Sequence, residues 1–185
     1  MNGIKYLPFE NYTITSPLPV DEIRKIIAEN IEPKKSFRFL LSQNNYSRLY
    51  HGKITGNRFT MRRNIYYQNS FLPVITGCFG SYLSETFIKI KMRPSFSTII
   101  FMSFWLGVVG LIFLLLLMAE LFKAKGIVQD NFLLGIATTF ILFLFGWSLS
   151  YFGFKYESKK SKAFLSELLE GQEVKSNEDS FMYFI

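Results

Sequence analysis

The chain predicts an α+β soluble domain, an antiparallel sheet with one covering helix, followed by a two-helix transmembrane hairpin and a short C-terminal amphipathic helix. Three observations carry that expectation. No charged residue falls between Arg93 and Glu120 or between Asp130 and Lys155, and each interval exceeds the ~20 apolar residues that cross a bilayer. The half that precedes them alternates apolar and polar residues in short runs bounded by turn residues, as half-buried strands do. Beyond the second interval, Phe164, Leu165, Leu168 and Leu169 recur at helical spacing and form one apolar stripe. The expected boundaries are 1–94 for the soluble domain, 95–154 for the hairpin with spans about 96–118 and 132–154, and 155–185 for the juxtamembrane helix and tail.

The soluble domain opens with an extended piece around Tyr12 to Ile14, which Ser16 to Pro19 breaks. Asp21 and Glu22 then begin a helix whose apolar positions Ile23, Ile26, Ile27 and Ile31 share one face. Pro33 ends it, because proline has no amide to continue the ladder. Strands are predicted over Phe37–Leu41, Arg48–Ile54, Arg58–Tyr67, Leu72–Phe79 and Thr86–Met92, with turns at Gln43–Asn45, Thr55-Gly56-Asn57 and Gly80-Ser81. In the last strand Thr86, Ile88, Ile90 and Met92 alternate with Glu85, Phe87, Lys89, Lys91 and Arg93, so one face is apolar and the other basic.

Net charge is +7, and its placement is uneven. Residues 1–95 hold 14 Lys/Arg against 6 Asp/Glu, whereas the segment after Phe154 holds 5 against 6. A basic domain tied to a membrane points first to an anionic lipid surface; without the aromatic and basic pattern of an RNA-binding sheet, nucleic acid is disfavoured. Around the spans, Lys89, Lys91, Arg93, Lys155, Lys159, Lys160 and Lys162 lie on the outer flanks against Lys123 and Lys125 in the turn. The positive-inside rule then places both termini on the cytoplasmic side of the inner membrane. The N-terminal residues lack the basic and apolar regions of a cleavable signal peptide, which leaves the first span as the insertion signal.

Neither span contains an ionisable residue, and proton or ion pathways are built from such residues. Small residues four apart, Ser103 with Gly107 and Gly146 with Ser150, mark candidate helix-packing positions, within the hairpin first and in a homo-oligomer second. The juxtamembrane helix takes Ser158 as its cap and Gly171 as its stop. Its apolar stripe has to be buried, either on the membrane or on the soluble domain, and the closing Phe-Met-Tyr-Phe-Ile is available to join it.

Chemistry-bearing motifs are sparse. A single histidine, His51, precludes a two-histidine metal site, one cysteine, Cys78, precludes an internal disulfide, and no phosphate-binding glycine loop occurs. A nucleophile–base pair of Cys78 and His51 has no supporting motif, so Cys78 is expected in the core and His51 on a strand surface. No catalytic, cofactor or metal site is expected. Arg63 is different, because period-two alternation puts it on one face with Phe59, Met61, Ile65 and Tyr67. An inward arginine needs a buried partner or an anion, unless a bulge at Arg62-Arg63 returns it to solvent. Arg63, Lys89, Lys91 and Arg93 are therefore the candidate anion or lipid contacts.

The segments Phe59 to Arg62, Tyr67 to Gly77, Ile88 to Pro94, the Trp105 span and the closing Phe154-Lys155-Tyr156-Glu157 resemble a family of uncharacterised bacterial two-span membrane proteins with a soluble β-rich N-terminal domain. The resemblance implies the same architecture from about Asn11 to Glu170 and brings no functional residue with it. Together these features favour a membrane-anchored, cytoplasm-facing binding module for anionic lipid or a partner protein. The competing expectation is a structural or assembly subunit of a larger membrane complex, with a membrane-bound enzyme as a residual alternative.

Overall fold

In the computed structural model the described residues are 7–33, 47–67, 69–82, 85–122 and 132–174. The chain divides into two compact units, one made of Met1–Ser95 with Phe154–Ile185 and the other of Phe96–Gly153. The first unit is built on a sheet whose strands are β1 (Glu10–Ser16), β2 (Ile31–Pro33), β3 (Tyr50–Thr55), β4 (Arg58–Arg63), β5 (Val74–Tyr82), β6 (Glu85–Arg93) and β7 (Gln172–Val174). They lie in the order β2-β3-β4-β5-β6-β1-β7. Every neighbouring pair is antiparallel except β2 with β3, so the sheet is mixed and not the purely antiparallel one expected. The reason lies at the end of α1 (Val20–Asn30), where the amide of Ile31 still donates to the carbonyl of Ile27 while its backbone is already extended. The chain thus runs straight from helix into strand, and Ile31 belongs to β2. Pro33 is tolerated there because β2 is an edge strand and is lost as a donor at little cost.

Strands β1 and β3 to β6 follow their sequence signals, whereas β7 had none. Gly56, at φ +56°, takes the first position of the two-residue loop that joins β3 to β4, a position that favours glycine. The strand read as Arg58 to Tyr67 stops at Arg63, and Phe37–Leu41, Gln43–Asn45 and the last five residues lie outside the described residues.

One face of the sheet carries the core. Ile14, Phe59, Met61, Ile75, Phe79, Ile88, Ile90 and Met92 are all buried with Ile23 and Ile27 of α1. The same cluster takes in Phe154, Leu165 and Leu169, which belong to the C-terminal part of α3 (Phe132–Leu168) and its end. Two helical segments therefore cover this face where one was expected, each buried Leu or Ile contributing roughly 1.5–3 kcal/mol. No separate juxtamembrane helix exists, since α3 runs unbroken from Phe132 to Leu168 and Ser158 sits inside it, its hydroxyl against Met92 Sδ at 3.6 Å. The helix ends in a Schellman turn. Glu170 is the left-handed residue at φ +48°, the Gly171 amide donates to Ser166 O at 3.0 Å, and that of Glu170 to Glu167 O at 3.3 Å. Gly171 is required for closeness, because a Cβ there would lie 2.1 Å from Ile14 Cγ2.

The second unit contains α2 (Phe96–Leu121) and α3 up to Gly153. Both helices are long and apolar enough to cross a membrane, by length and composition. Within this unit a Cβ on Gly146 would lie 3.1 Å from Trp105 Nε1 and 3.5 Å from Leu106, Gly110 approaches Phe143, and Phe113 meets Phe140 with ring centroids 5.6 Å apart.

Candidate anion-binding site: the open face of the sheet

Strand register sorts the basic residues onto two faces. On the side away from the core, Arg58 stands beside Cys78 and Lys89, Thr60 beside Thr76 and Lys91, and Arg62 beside Val74 and Arg93. On β3, His51 and Lys53 complete this surface next to Arg62 and Thr60. The carboxylates on the same face are Glu85 at the far end of β6 and Glu32 on β2, beside His51. Burial and the neighbouring charge of Lys91 hold the ammonium of Lys89 below the usual lysine range, which is what crowding like charges on one surface does.

The pairing of these cations separates the two faces. On the core side and at the sheet's margins, Arg63 pairs with Glu157 at 2.9 Å, Lys155 with Glu10 at 2.6 Å, Lys162 with Glu173 at 2.6 Å and Arg24 with Asp21 at 2.7 Å. On the open face, Lys53, Arg58, Arg62, Lys91 and Arg93 have no ion-pair partner among the described residues. A cavity of about 420 Å³ lies over β3 and β4, lined by His51, Gly52, Lys53, Thr60, Met61, Arg62 and Val74. Burial lowers the Arg62 pKa from the usual arginine value, and its Nε is enclosed without a hydrogen-bond acceptor among the described residues. His51 Nδ1 faces Asn64 Oδ1, while Asn64 Nδ2 donates to Arg48 O at 2.8 Å. Because Oδ1 can only accept, the proton of that pair sits on Nδ1, and Nε2 stays uncommitted.

Arg63 departs from its expected company. No bulge forms, and β4 pairs in unbroken register with β3 through Arg63. The side chain therefore projects to the core side, opposite Lys89, Lys91 and Arg93, where Glu157 Oε2 accepts from its Nη1 and Tyr67 OH donates to Oε1. Glu157 is 1% exposed, and its carboxylate is the anion that the inward arginine needed. The hydrogen bond to Glu157 raises the Tyr67 pKa, since loss of the phenolic proton would set two anions together. Arg62, one residue earlier, is the arginine that joins the basic face. The parity that turned Arg63 inward turned Arg62 outward, so the signal was present; the position of Glu157, 94 residues on, was not.

Of the packing candidates, Gly146 and Ser150 are buried, and Gly146 is in contact with α2. Ser103 and Gly107 are exposed, and no atom lies within 4 Å of a Cβ placed on Gly107. The helix contact uses Leu106 and Gly110 instead. Cys78 is half-buried on the open face and not in the core. It lies two strands from His51 and four residues out of register, roughly 13 Å along the strand alone, so the two do not form a pair.

No family model, curated protein or solved structure matches the chain. What the site can do rests on its own geometry.

Proposed function

We propose that the protein is a membrane-anchored binding module whose open sheet face takes anionic lipid headgroups. The observation that carries this is the segregation of charge: Arg63, Lys155 and Lys162 are paired within the fold, whereas Lys53, Arg58, Arg62, Lys91 and Arg93 on the open face have no ion-pair partner among the described residues. Unsatisfied cations near a bilayer are each worth about 1 kcal/mol of attraction to an anionic leaflet. The bilayer is close along the chain, because β6 ends at Arg93 and α2 begins at Phe96. In this reading α2 and the first part of α3 form a transmembrane hairpin, their contacts running in opposite directions from Trp105 with Gly146 to Phe113 with Phe140. Both termini then face the cytoplasm from the inner membrane, as the basic flanks of the spans require.

The test is lipid retention by the full-length protein. Extracted into an uncharged detergent from membranes of mixed zwitterionic and anionic lipid, it should carry anionic lipid in excess of the bulk ratio. Replacing Lys53, Arg58, Lys91 and Arg93 together by Gln should abolish the excess. Equal retention by both forms would contradict the reading. The alternative, a subunit of a larger membrane assembly, draws on Ser103 and Gly107, which stand exposed on α2. It gains first place if retention is equal and the protein migrates as a multimer that Gly107→Leu disperses.

A further inference from the structure

Within the basic face, the cavity over β3 and β4 has a chemistry of its own. We infer that it is a phosphate subsite that takes a phosphomonoester dianion, bound by Arg62 and Lys53 with Thr60 and His51 at its margin. The inference rests on the lipid-binding reading above and adds to it the class of headgroup selected.

Arg62 is the anchor of this subsite. Its side chain is half-buried, and its Nε is enclosed with no acceptor among the described residues. A charged donor removed from water without a partner is unfavourable, and a natural sheet surface offers easy relief by pointing such a side chain outward. Here the side chain lines a cavity instead. Arginine's planar fork fits two phosphate oxygens at once. Lys53 lies on the neighbouring strand, directly beside Thr60, and contributes a second positive charge and a compact ammonium. Thr60 supplies a hydroxyl that donates or accepts, and Nε2 of His51 is the remaining uncommitted polar atom of the lining.

Two cations beside one cavity match a doubly charged group better than a singly charged one. A phosphomonoester carries close to two negative charges at neutral pH, its second ionisation lying near pH 6, whereas a phosphodiester carries one. The volume of about 420 Å³ is ample for a phosphate with its first ester carbons and excludes nothing larger by itself, so selectivity comes from charge and from the enclosed Arg62. Lys91 and Arg93, outside the lining, supply attraction that does not discriminate between headgroups.

The full-length protein in an uncharged detergent is titrated with dihexanoyl phosphatidic acid, dihexanoyl phosphatidylglycerol and inorganic phosphate, with binding followed calorimetrically. Phosphatidic acid is expected to bind at least fivefold more tightly than phosphatidylglycerol. Arg62→Gln and Lys53→Gln should each remove that preference, while Lys91→Gln weakens both lipids by the same factor. Thermal midpoints of the variants confirm that they remain folded, and Lys53→Gln, an exposed change, stands in for Arg62→Gln should the latter unfold. Inorganic phosphate that binds as tightly as phosphatidic acid would assign the subsite to a soluble phosphate, and a much weaker affinity assigns it to the lipid. Equal affinity for the two lipids, or a preference that survives both variants, overturns the subsite and leaves the lipid-binding face standing. Failure of both lipids to bind overturns the subsite and the lipid-binding face together.

Discussion

At the scale of single residues, Arg62 and Arg63 are adjacent, chemically identical and opposite in use. Arg63 completes a buried network in which both oxygens of Glu157 are occupied, and Arg62 has no acceptor for its Nε among the described residues. Arg63→Leu leaves the Glu157 carboxylate uncompensated. Breaking a fully buried pair costs about 3–5 kcal/mol; since Arg63 is 26% exposed, a loss of about 2–3 kcal/mol is expected after allowance for solvent screening. Arg58→Leu should stay within about 0.5 kcal/mol, as exposed changes do, and Arg62→Leu should be neutral or mildly stabilising because it removes a half-buried charge without a partner. Thermal denaturation in detergent ranks the three, and superimposable curves would contradict the network. Alternation along β4 made the inward turn of Arg63 legible in the sequence. The identity of its partner was not legible, because Glu157 interrupts an apolar stripe and reads as the solvated side of a helix.

At the scale of elements, the strands and α1 were readable because their apolar positions repeat at a single period. β6 shows this most simply, with Thr86, Ile88, Ile90 and Met92 buried as alternation required. β2 and β7 were missed because strands of three residues are too short to show any period. The continuity of α3 was missed for a different reason. Its buried side passes from Phe154 through Glu157, Ser158 and Ser161 to Leu165, so a polar stretch at the sheet separates two apolar ones and mimics a helix start at Ser158. The sequence had left the C-terminal stripe with two destinations, membrane or soluble domain, and packing chooses the sheet. Leu165→Ala should therefore cost about 2–5 kcal/mol, as for any fully buried leucine. Gly171→Ala, which forces a methyl to within 2.1 Å of Ile14 Cγ2, should cost about 1–3 kcal/mol by overpacking. Both are read as shifts in thermal midpoint. Unchanged midpoints would mean that the end of α3 is not seated on β1.

At the scale of the whole molecule, two apolar helices and a basic sheet face occur in one chain. Two helices are long and apolar enough to cross a membrane, which the absence of charge in two intervals already announced. Six of the fourteen basic residues of residues 1–95, Lys53, Arg58, Arg62, Lys89, Lys91 and Arg93, share one face of the sheet, which the count alone could not reveal, because it does not sort charges by face. The structure offers a built-in reporter of what that face meets. Cys78, the one cysteine of the chain, is half-buried on the open face in register with Arg58 and Lys89. The most direct measurement is its rate of modification by an uncharged, water-soluble thiol reagent in full-length protein held in lipid nanodiscs, with zwitterionic lipid alone compared with a mixture containing anionic lipid. The account predicts slower modification with anionic lipid, recovery of the rate at high salt as screening shortens the reach of the charges, and no lipid effect when Lys53, Arg58, Lys91 and Arg93 are all Gln. A rate that is the same in both lipids, or a lipid effect that survives removal of those four charges, would contradict it.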